Sequence, residues 1–293
     1  MKKSIPLSVT AAERSPAPDV SFLFNNRRVW IMGVLNATPD SFYAASRAAP
    51  VDAALALAGR MMREGAAILD VGGESTRPGA EDVPSAAELE RTLPLIDALH
   101  ERRPEFPISI DTRKASVARQ ALEHGAGLVN DISALRHDPG MAEVAAAFEC
   151  PVVLMHMQGA PATMQKEPRY ADVVEEIKRF FEERLKFATR HGIREDRLIL
   201  DPGIGFGKSL EHNLEILRRL SEFRPLGRPI LVGVSRKSFI GKLLGDVPPE
   251  ERLEGSLAAA LWAVQEGANG LRVHDVGPTR RALGLWSAIG TAS

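Results

Sequence analysis

The chain has 293 residues, 44% hydrophobic and 26% charged, which is typical of a globular protein large enough to bury a sizeable core. Its formal net charge of −1 argues against the broad basic surface of a nucleic-acid-binding protein, so any anionic ligand must be held by local groups. The single cysteine, Cys150, excludes an internal disulfide, and its place before an apolar run predicts a buried, inert thiol.

The first segment, residues 1–19, is rich in Ser, Ala and Pro and is predicted to be a flexible leader. It resembles a signal peptide only superficially, because its apolar stretch is short and Pro6 interrupts it. No later window approaches the roughly 18 apolar residues of a membrane span, so we expect a cytoplasmic protein without membrane partners. Residues 20–28 are expected to form a small hairpin at the floor of a single domain over 20–293.

After the leader, eight apolar runs alternate with eight amphipathic helical patterns. The runs lie at 29–33, 67–71, 107–111, 128–132, 151–155, 198–201, 230–234 and 270–274. The helical patterns lie at 52–64, 85–102, 114–124, 139–149, 171–191, 210–223, 250–267 and 278–289. The runs are apolar on both faces, as in a parallel sheet covered by helices. This order predicts an α/β fold, a (β/α)8 TIM barrel; a doubly wound open sheet is the alternative.

Polar segments follow the carboxyl ends of successive strands. In chain order they are MGVLNATPDSF (32–42), LDVGGESTRPGA (69–80), SIDTRKAS (109–116), LVNDIS (128–133), LMHMQGAP (154–161), LDPGIGFGK (200–208), GVSRKSFIG (233–241) and LRVHDV (271–276). In a parallel barrel these ends meet at one mouth, where side chains from several strands form the active site. The loops at 34–51 and 72–84 are long and polar, which is typical of loops that cover a substrate.

Four of these polar residues suit a flat heterocycle: Asp111, Asn130, Asp201 and Lys237. A carboxylate accepts two parallel hydrogen bonds from an amino-pyrimidinone edge, and an Asn side chain offers both a donor and an acceptor. Alternatively, Asp111 and Asp201 only cap the helices that follow them. Four such residues at strand ends favour the binding site over capping.

A second group suits an anion: Asn36, Thr76, Arg77, Arg272 and His274. Arg272 and His274 lie two residues apart on the eighth strand and therefore point the same way. Together with backbone amides at a helix start, these side chains predict a phosphate pocket. No pair of histidines has zinc-ligand spacing.

The glycine-rich segment 201–209 is not a nucleotide-binding loop. The P-loop pattern requires glycine where Pro202 stands, and the dinucleotide pattern requires glycine at Lys208. The segment is either a flexible turn or the wall of a ligand site that carries Phe206. We favour the wall, because Asp201 ends the strand immediately before it.

These motifs together resemble the bacterial dihydropteroate synthase family over about residues 29–276. The resemblance rests on Asn36-Ala-Thr-Pro-Asp-Ser-Phe42, Glu74-Ser-Thr-Arg-Pro-Gly79, Ser109-Ile-Asp-Thr112, Asn130-Asp131, Asp201-Pro-Gly203, Ser235-Arg-Lys237 and Arg272-Val-His274. The family condenses 6-hydroxymethyl-7,8-dihydropterin diphosphate with 4-aminobenzoate to give 7,8-dihydropteroate and diphosphate. The resemblance implies a transferase of folate biosynthesis, a homodimer and a sulfonamide target.

The resemblance also assigns roles to individual residues. It implies pterin contacts from Asp111, Asn130, Ile132, Met155, Asp201, Phe206 and Lys237. It implies diphosphate contacts from Asn36, Thr76, Arg77, Arg272 and His274, with Mg²⁺ at Asn36. Aminobenzoate contacts are expected from Arg77, Pro78, Phe206 and Ser235, with the carboxylate at the helix after Ser235. Lys237, Arg272, His274 and Arg77 are expected to act in catalysis.

The first loop departs from the family pattern. Members commonly continue Ser-Phe-Ser-Asp-Gly-Gly, whereas this chain reads Ser41-Phe-Tyr-Ala-Ala-Ser46, which puts Ala44 in place of an acidic residue that helps stabilise a cationic intermediate. One alternative is therefore a pterin-binding paralogue of low activity. Another is a pterin-dependent methyltransferase, although the Ser-Thr-Arg-Pro-Gly and Ser-Arg-Lys motifs argue against it.

Overall fold

Eight short parallel strands form the wall of a barrel in the computed structural model, which describes residues 18–25, 29–37, 50–75 and 82–291. The strands are β1 Trp30–Asn36, β2 Ile68–Gly72, β3 Ile108–Asp111, β4 Leu128–Asp131, β5 Val152–Met155, β6 Leu198–Asp201, β7 Leu231–Val232 and β8 Gly270–Val273. Consecutive strands from β1 to β6 pair in parallel, as do β7 with β8 and β8 with β1. A parallel bridge between Leu200 and Ile230 closes the ring. The predicted barrel is confirmed, and the open sheet is excluded.

Helices cover the outside of this ring, one or two after each strand. They are α1 Pro50–Glu64, α2 Ser85–Arg102, α3 Ala115–Glu123, α4 Met141–Ala147, α5 Val173–Arg190, α6 Leu210–Arg218, α7 Ser238–Leu243, α8 Leu253–Gln265 and α9 Val276–Thr291. α5 shows why they form: the side chain of Asp172 caps its first turn, and Val174, Ile177 and Phe181 repeat at helical spacing and are buried. Two details differ from the prediction. α7 was not predicted, and the pattern at 210–223 breaks into α6 and a 3₁₀ turn, Leu220–Leu226.

The prediction of a hairpin at 20–28 is wrong for the residues of this segment that the structure describes, because Ser21–Phe24 forms a 3₁₀ turn. Val20 and Leu23 lie three residues apart, so this turn places both on one face, which seals the amino end of the barrel. Trp30 Nε1 donates a hydrogen bond to Leu23 O at 3.3 Å. The buried residues of this cluster are Val20, Leu23, Trp30, Met32, Ile68, Leu128, Val153, Ile199 and Leu231. Residues 1–17, almost all of the predicted leader, lie outside the described residues.

The larger apolar core lies between the strands and the surrounding helices, as a (β/α)8 barrel requires. Cys150 belongs to it, and burial raises the pKa of its thiol to about 12, which confirms the buried cysteine. Among the described residues, no helix is long and apolar enough to span a bilayer.

The register of the strands brings the predicted polar residues into adjacent positions at the carboxyl end. Asp111 is the register partner of both Gly72 and Asn130, and Asp201 is the partner of Met155. Side chains from β3, β4, β5 and β6 therefore reach the same opening.

Candidate active site

A cavity lies at the carboxyl ends of the strands. This is the mouth at which barrels of this architecture hold their substrates. Its lining residues are Val34, Asp111, Asn130, Ile132, Met155, Asp201, Gly203, Ile204, Phe206, Gly233, Ser235, Lys237, Arg272 and His274. The strands thus bring together all seven residues predicted to contact a pterin.

One wall of the cavity consists of hydrogen-bond acceptors. Asp111, Asn130 and Asp201 each expose 7% or less of their surface, so little solvent competes for them. Burial raises the pKa of Asp111 to about 7, with the negative charges of Asp70 and Glu88 acting in the same direction and Arg272 opposing them. Burial also raises the pKa of Asp201, whose Oδ1 accepts a hydrogen bond from Gly203 N at 2.7 Å. Two such carboxyls favour a ligand that brings N–H donors or positive charge.

Lys237 supplies a cation opposite these acceptors. Burial, followed by the positive charge of Arg272, lowers the pKa of Lys237 to about 8. Its Nζ lies 4.2 Å from the centre of the Phe206 ring, a cation–π distance. The lysine therefore stays next to the aromatic wall and can act either as a charge or, near neutral pH, as a proton carrier.

The apolar wall combines strand residues with the glycine-rich loop. Ile132 and Met155 are buried in one cluster, against which Phe206 packs. The loop must approach closely: Gly203 has φ +68° and a Cβ there would lie 2.0 Å from His156 O. The structure therefore places Phe206 in a cavity wall, as the wall interpretation predicted, and glycine permits the close packing behind it.

Arg272 lies between two carboxylates of the barrel interior. Its Nε donates to Asp70 Oδ2 at 2.6 Å and its terminal nitrogen donates to Asp111 Oδ2 at 2.8 Å. The two negative charges raise the pKa of Arg272 and keep it protonated, against the effect of burial. The residue predicted to hold an anion is thus also joined to the acceptor wall.

His274 occupies the rim on the same strand. Its Nδ1 lies 3.1 Å from Ser235 Oγ, so the predicted diphosphate and aminobenzoate contacts are neighbours. Desolvation by the surrounding protein and the positive charges of Arg272 and Arg236 lower the pKa of His274, although the side chain remains exposed. At neutral pH it is therefore an uncharged imidazole.

The remaining predicted site residues either do not line the cavity or lie outside the described residues. Asn36 ends β1, half-buried, beside Gly72 of β2, and it does not line the cavity. Thr76, Arg77, Pro78 and Ala44 lie outside the described residues.

Sequence reasoning missed three buried polar groups around the cavity. Asp70 on β2 bonds Arg272, and Lys208 Nζ donates to Phe206 O at 2.9 Å behind the glycine-rich loop. Arg113 bonds Glu74 and Asp82, which precede and follow Thr76 and Arg77 in the sequence. The only available signal was a charged residue inside or next to an apolar strand, which Asp70 gives within Leu69-Asp-Val-Gly-Gly73.

Comparison with known proteins agrees with this geometry. The sequence model of a family described as "Pterin binding enzyme" matches residues 32–274. The dihydropteroate synthase of Escherichia coli (strain K12) is 49% identical over 253 residues, which cover 86% of this chain and 89% of that protein. That of Synechocystis is 47% identical over 262 residues, covering 89% and 90%.

Solved structures show the same barrel. The dihydropteroate synthase of Xanthomonas albilineans with 4-aminobenzoic acid superposes with a TM-score of 0.86 at 46% identity, covering 92% of this chain and 95% of that one. The Yersinia pestis enzyme in a sulfonamide drug complex gives a TM-score of 0.86 at 45% identity, covering 91% and 96%.

Proposed function

The chain belongs to the dihydropteroate synthase family of pterin-binding enzymes, and we propose that its cavity joins a 6-hydroxymethyl-7,8-dihydropterin diphosphate to 4-aminobenzoate. The chain is accordingly a transferase, with 7,8-dihydropteroate and diphosphate as products. The observation that carries the proposal is the convergence of Asp111, Asn130, Asp201 and Lys237 on one cavity.

The acceptor wall matches the pyrimidinone edge of a pterin. Asp111, Asp201 and the amide oxygen of Asn130 can accept from its N–H groups, while Lys237 supplies donors for its carbonyl and ring nitrogens. Ile132 and Phe206 contact the flat faces. The negative wall also favours a pterin that carries positive charge, and such charge develops when the exocyclic C–O bond breaks.

The leaving diphosphate departs on the side of Arg272 and His274. Arg272 remains protonated and His274 offers a neutral imidazole, so both can donate hydrogen bonds to phosphate oxygens. The aniline nitrogen of aminobenzoate is already uncharged at neutral pH, so its attack requires no strong base. Ser235, bonded to His274, lies where the second substrate meets the departing anion.

We propose that a magnesium ion binds at the end of the first strand. Asn36 offers one amide oxygen at the end of β1, and the described residues hold no group of three or more His, Cys, Asp or Glu side chains that would form an all-protein site. One protein oxygen plus phosphate oxygens is a usual ligand set for Mg²⁺. Bound there, the ion would neutralise charge on the diphosphate.

The proposal includes a homodimer formed through α7, α8 and α9. The exposed large apolar side chains among the described residues all lie on these three helices or at the end of α7: Leu243, Leu244, Trp262, Leu285, Trp286 and Ile289. A patch of this kind is typical of an interface. We expect twice the monomer mass by light scattering, and a shift to monomer for Leu285→Glu with Ile289→Glu, whereas Arg280→Glu, an exposed residue on the other face of the same helix, stays dimeric. A cytoplasmic location belongs to the same proposal and is tested by cell fractionation.

A steady-state assay with both substrates, with and without Mg²⁺, tests the proposed reaction. We expect Mg²⁺-dependent release of diphosphate in equal amount to dihydropteroate. A pterin that binds without turnover supports the low-activity paralogue instead. Ala44→Asp then distinguishes a missing charge from other causes, since an interaction made mainly in the transition state raises kcat without changing pterin affinity.

A further inference from the structure

Asp70 is a fully buried charged group next to the cavity, and the proposed reaction gives it no role. It lies in the middle of β2, its side chain is 0% exposed, and it is not among the residues that line the cavity. We infer that Asp70 is a positioning residue, which holds Asn130 in the orientation in which it meets the pterin and Arg272 in the orientation in which it faces the leaving diphosphate. This inference rests on the proposed function.

One oxygen of Asp70 makes both contacts. Asp70 Oδ2 accepts a hydrogen bond from Asn130 Nδ2 at 3.0 Å and from Arg272 Nε at 2.6 Å. The donors come from β4 and β8, each two strands away from β2 in the ring. Alternate strands of a barrel of this kind contribute side chains to a shared interior layer, which explains how three distant segments meet beneath the cavity.

The contact decides which atoms Asn130 offers to a ligand. A carboxylate can only accept hydrogen bonds, so the amide must turn an N–H toward Asp70. Its carbonyl oxygen then remains available to the cavity that Asn130 lines. Rotating the amide by half a turn would set two oxygens against each other, so Asp70 fixes Asn130 as an acceptor for an N–H of the pterin.

The same oxygen fixes the guanidinium of Arg272 at a second point. Arg272 is bonded through Nε to Asp70 and through a terminal nitrogen to Asp111. Two anchored donors define the plane of the group, and Asp111 is held in return. Asp70 therefore positions both an acceptor and a cation of the site without reaching the ligand itself.

A purely stabilising role fits the contacts poorly. Asp70 Oδ1 has no hydrogen-bond partner among the described residues, although it is buried. A buried carboxylate that is only half satisfied is a weak source of stability, because desolvation offsets its ion pair. A role in the site therefore accounts for these contacts better than a role in the core.

The test is Asp70→Asn, measured by calorimetry with a phosphate-free pterin between pH 5 and 9. Asparagine keeps the shape but removes the charge: its amide oxygen can take the place of Oδ2, and its NH2 group takes that of Oδ1, which has no partner among the described residues. We expect the affinity at pH 7.5 to fall about 10- to 100-fold, the size of a lost charged hydrogen bond, with an unchanged KM for aminobenzoate.

The pH profile distinguishes positioning from structural damage. Asp111 is faced by Arg272 and Lys237 on the positive side and by Asp70, Glu88 and Asp131 on the negative side. Without the charge of Asp70, Arg272 pairs with Asp111 alone, and the pKa of Asp111 falls. The acid limb of pterin binding, which is the loss of affinity as pH falls, therefore moves to lower pH. Loss of packing would not move it in this direction.

Ser109→Ala is the matched control. Ser109 is the register partner of Asp70 on β3, is equally buried, and its Oγ has no partner among the described residues. We expect wild-type affinity and profile. If Asp70→Asn does not fold, Asp70→Ser gives the same test, because it also removes the charge.

Each outcome of these measurements supports or overturns the positioning role of Asp70. A variant that binds within twofold of wild type, or binds weakly with an unmoved acid limb, overturns the positioning role while the proposed function stands. Equal losses in Ser109→Ala overturn it as well. If the wild-type protein itself does not bind the pterin, both the proposed function and this inference fail.

Discussion

At the amino end of the barrel, Trp30 and Leu23 close the interior with apolar side chains, whereas at the carboxyl end the interior holds Asp70, Asp111 and Arg272. The same strands run through both ends, and the burial is similar. The floor buries groups that leave water readily, while the mouth buries charges whose desolvation is only partly offset. The difference indicates that the floor stabilises the fold, while the mouth holds side chains with strongly shifted pKa values in place for a ligand.

The largest expected effect comes from breaking the floor. Trp30→Ala removes a side chain that is 3% exposed, and we expect the free energy of unfolding to fall by about 3–5 kcal/mol in urea denaturation. Phe22→Ala is the control, because Phe22 packs on the same cluster but is only partly buried, and a smaller loss is expected. The folded fraction should bind pterin normally. Weaker binding by folded Trp30→Ala would show that the two ends are coupled.

A substitution in the mouth should weaken pterin binding and leave the stability of the fold almost unchanged. Asp111→Asn replaces a carboxylate that faces N–H donors with an amide, and we expect pterin binding to weaken by about 2–4 kcal/mol, roughly 30- to 900-fold in Kd. Tm should change little, because Arg272 keeps Asp70 as a partner. Asp97→Asn, on the outer face of α2, is the matched control and should bind like wild type. A change below twofold in calorimetry removes Asp111 from the site.

The two ends also differ in how well the sequence predicts them. The strands and the closed ring follow from the alternation of apolar runs and helical patterns, and the mouth follows from polar residues at strand ends. The floor was mispredicted, because Val20 and Leu23 suit either a hairpin or a 3₁₀ turn until their packing partners are known. Asp70 was missed for a similar reason, since its partners Asn130 and Arg272 are distant in sequence and meet only in the ring.

The pH dependence of pterin binding sharpens the comparison, because the mouth holds described side chains whose pKa values lie near neutral. A carboxyl whose pKa is raised loses its charge as pH falls, and a lysine whose pKa is lowered loses its charge as pH rises. With Asp111 at about 7 and Lys237 at about 8, affinity should peak between these values and fall about tenfold per pH unit on either side. Asp111→Asn should remove the acid limb and Lys237→Met the alkaline limb. A flat profile would contradict the assignment.

The smallest expected effect separates the rim from the interior of the mouth. Arg272→Ala cannot isolate the diphosphate contact, because Arg272 also bonds two carboxylates of the interior. His274 bonds Ser235 at the rim, and its lowered pKa leaves it neutral at pH 7.5, so its loss removes one uncharged hydrogen bond. His274→Ala should therefore weaken binding of the pterin diphosphate by about 1 kcal/mol, roughly fivefold in Kd, and leave binding of a phosphate-free pterin unchanged. Equal losses for both ligands in calorimetry, with His124→Ala as control, would mean that the rim supports the pterin wall itself and that the mouth cannot be divided in this way.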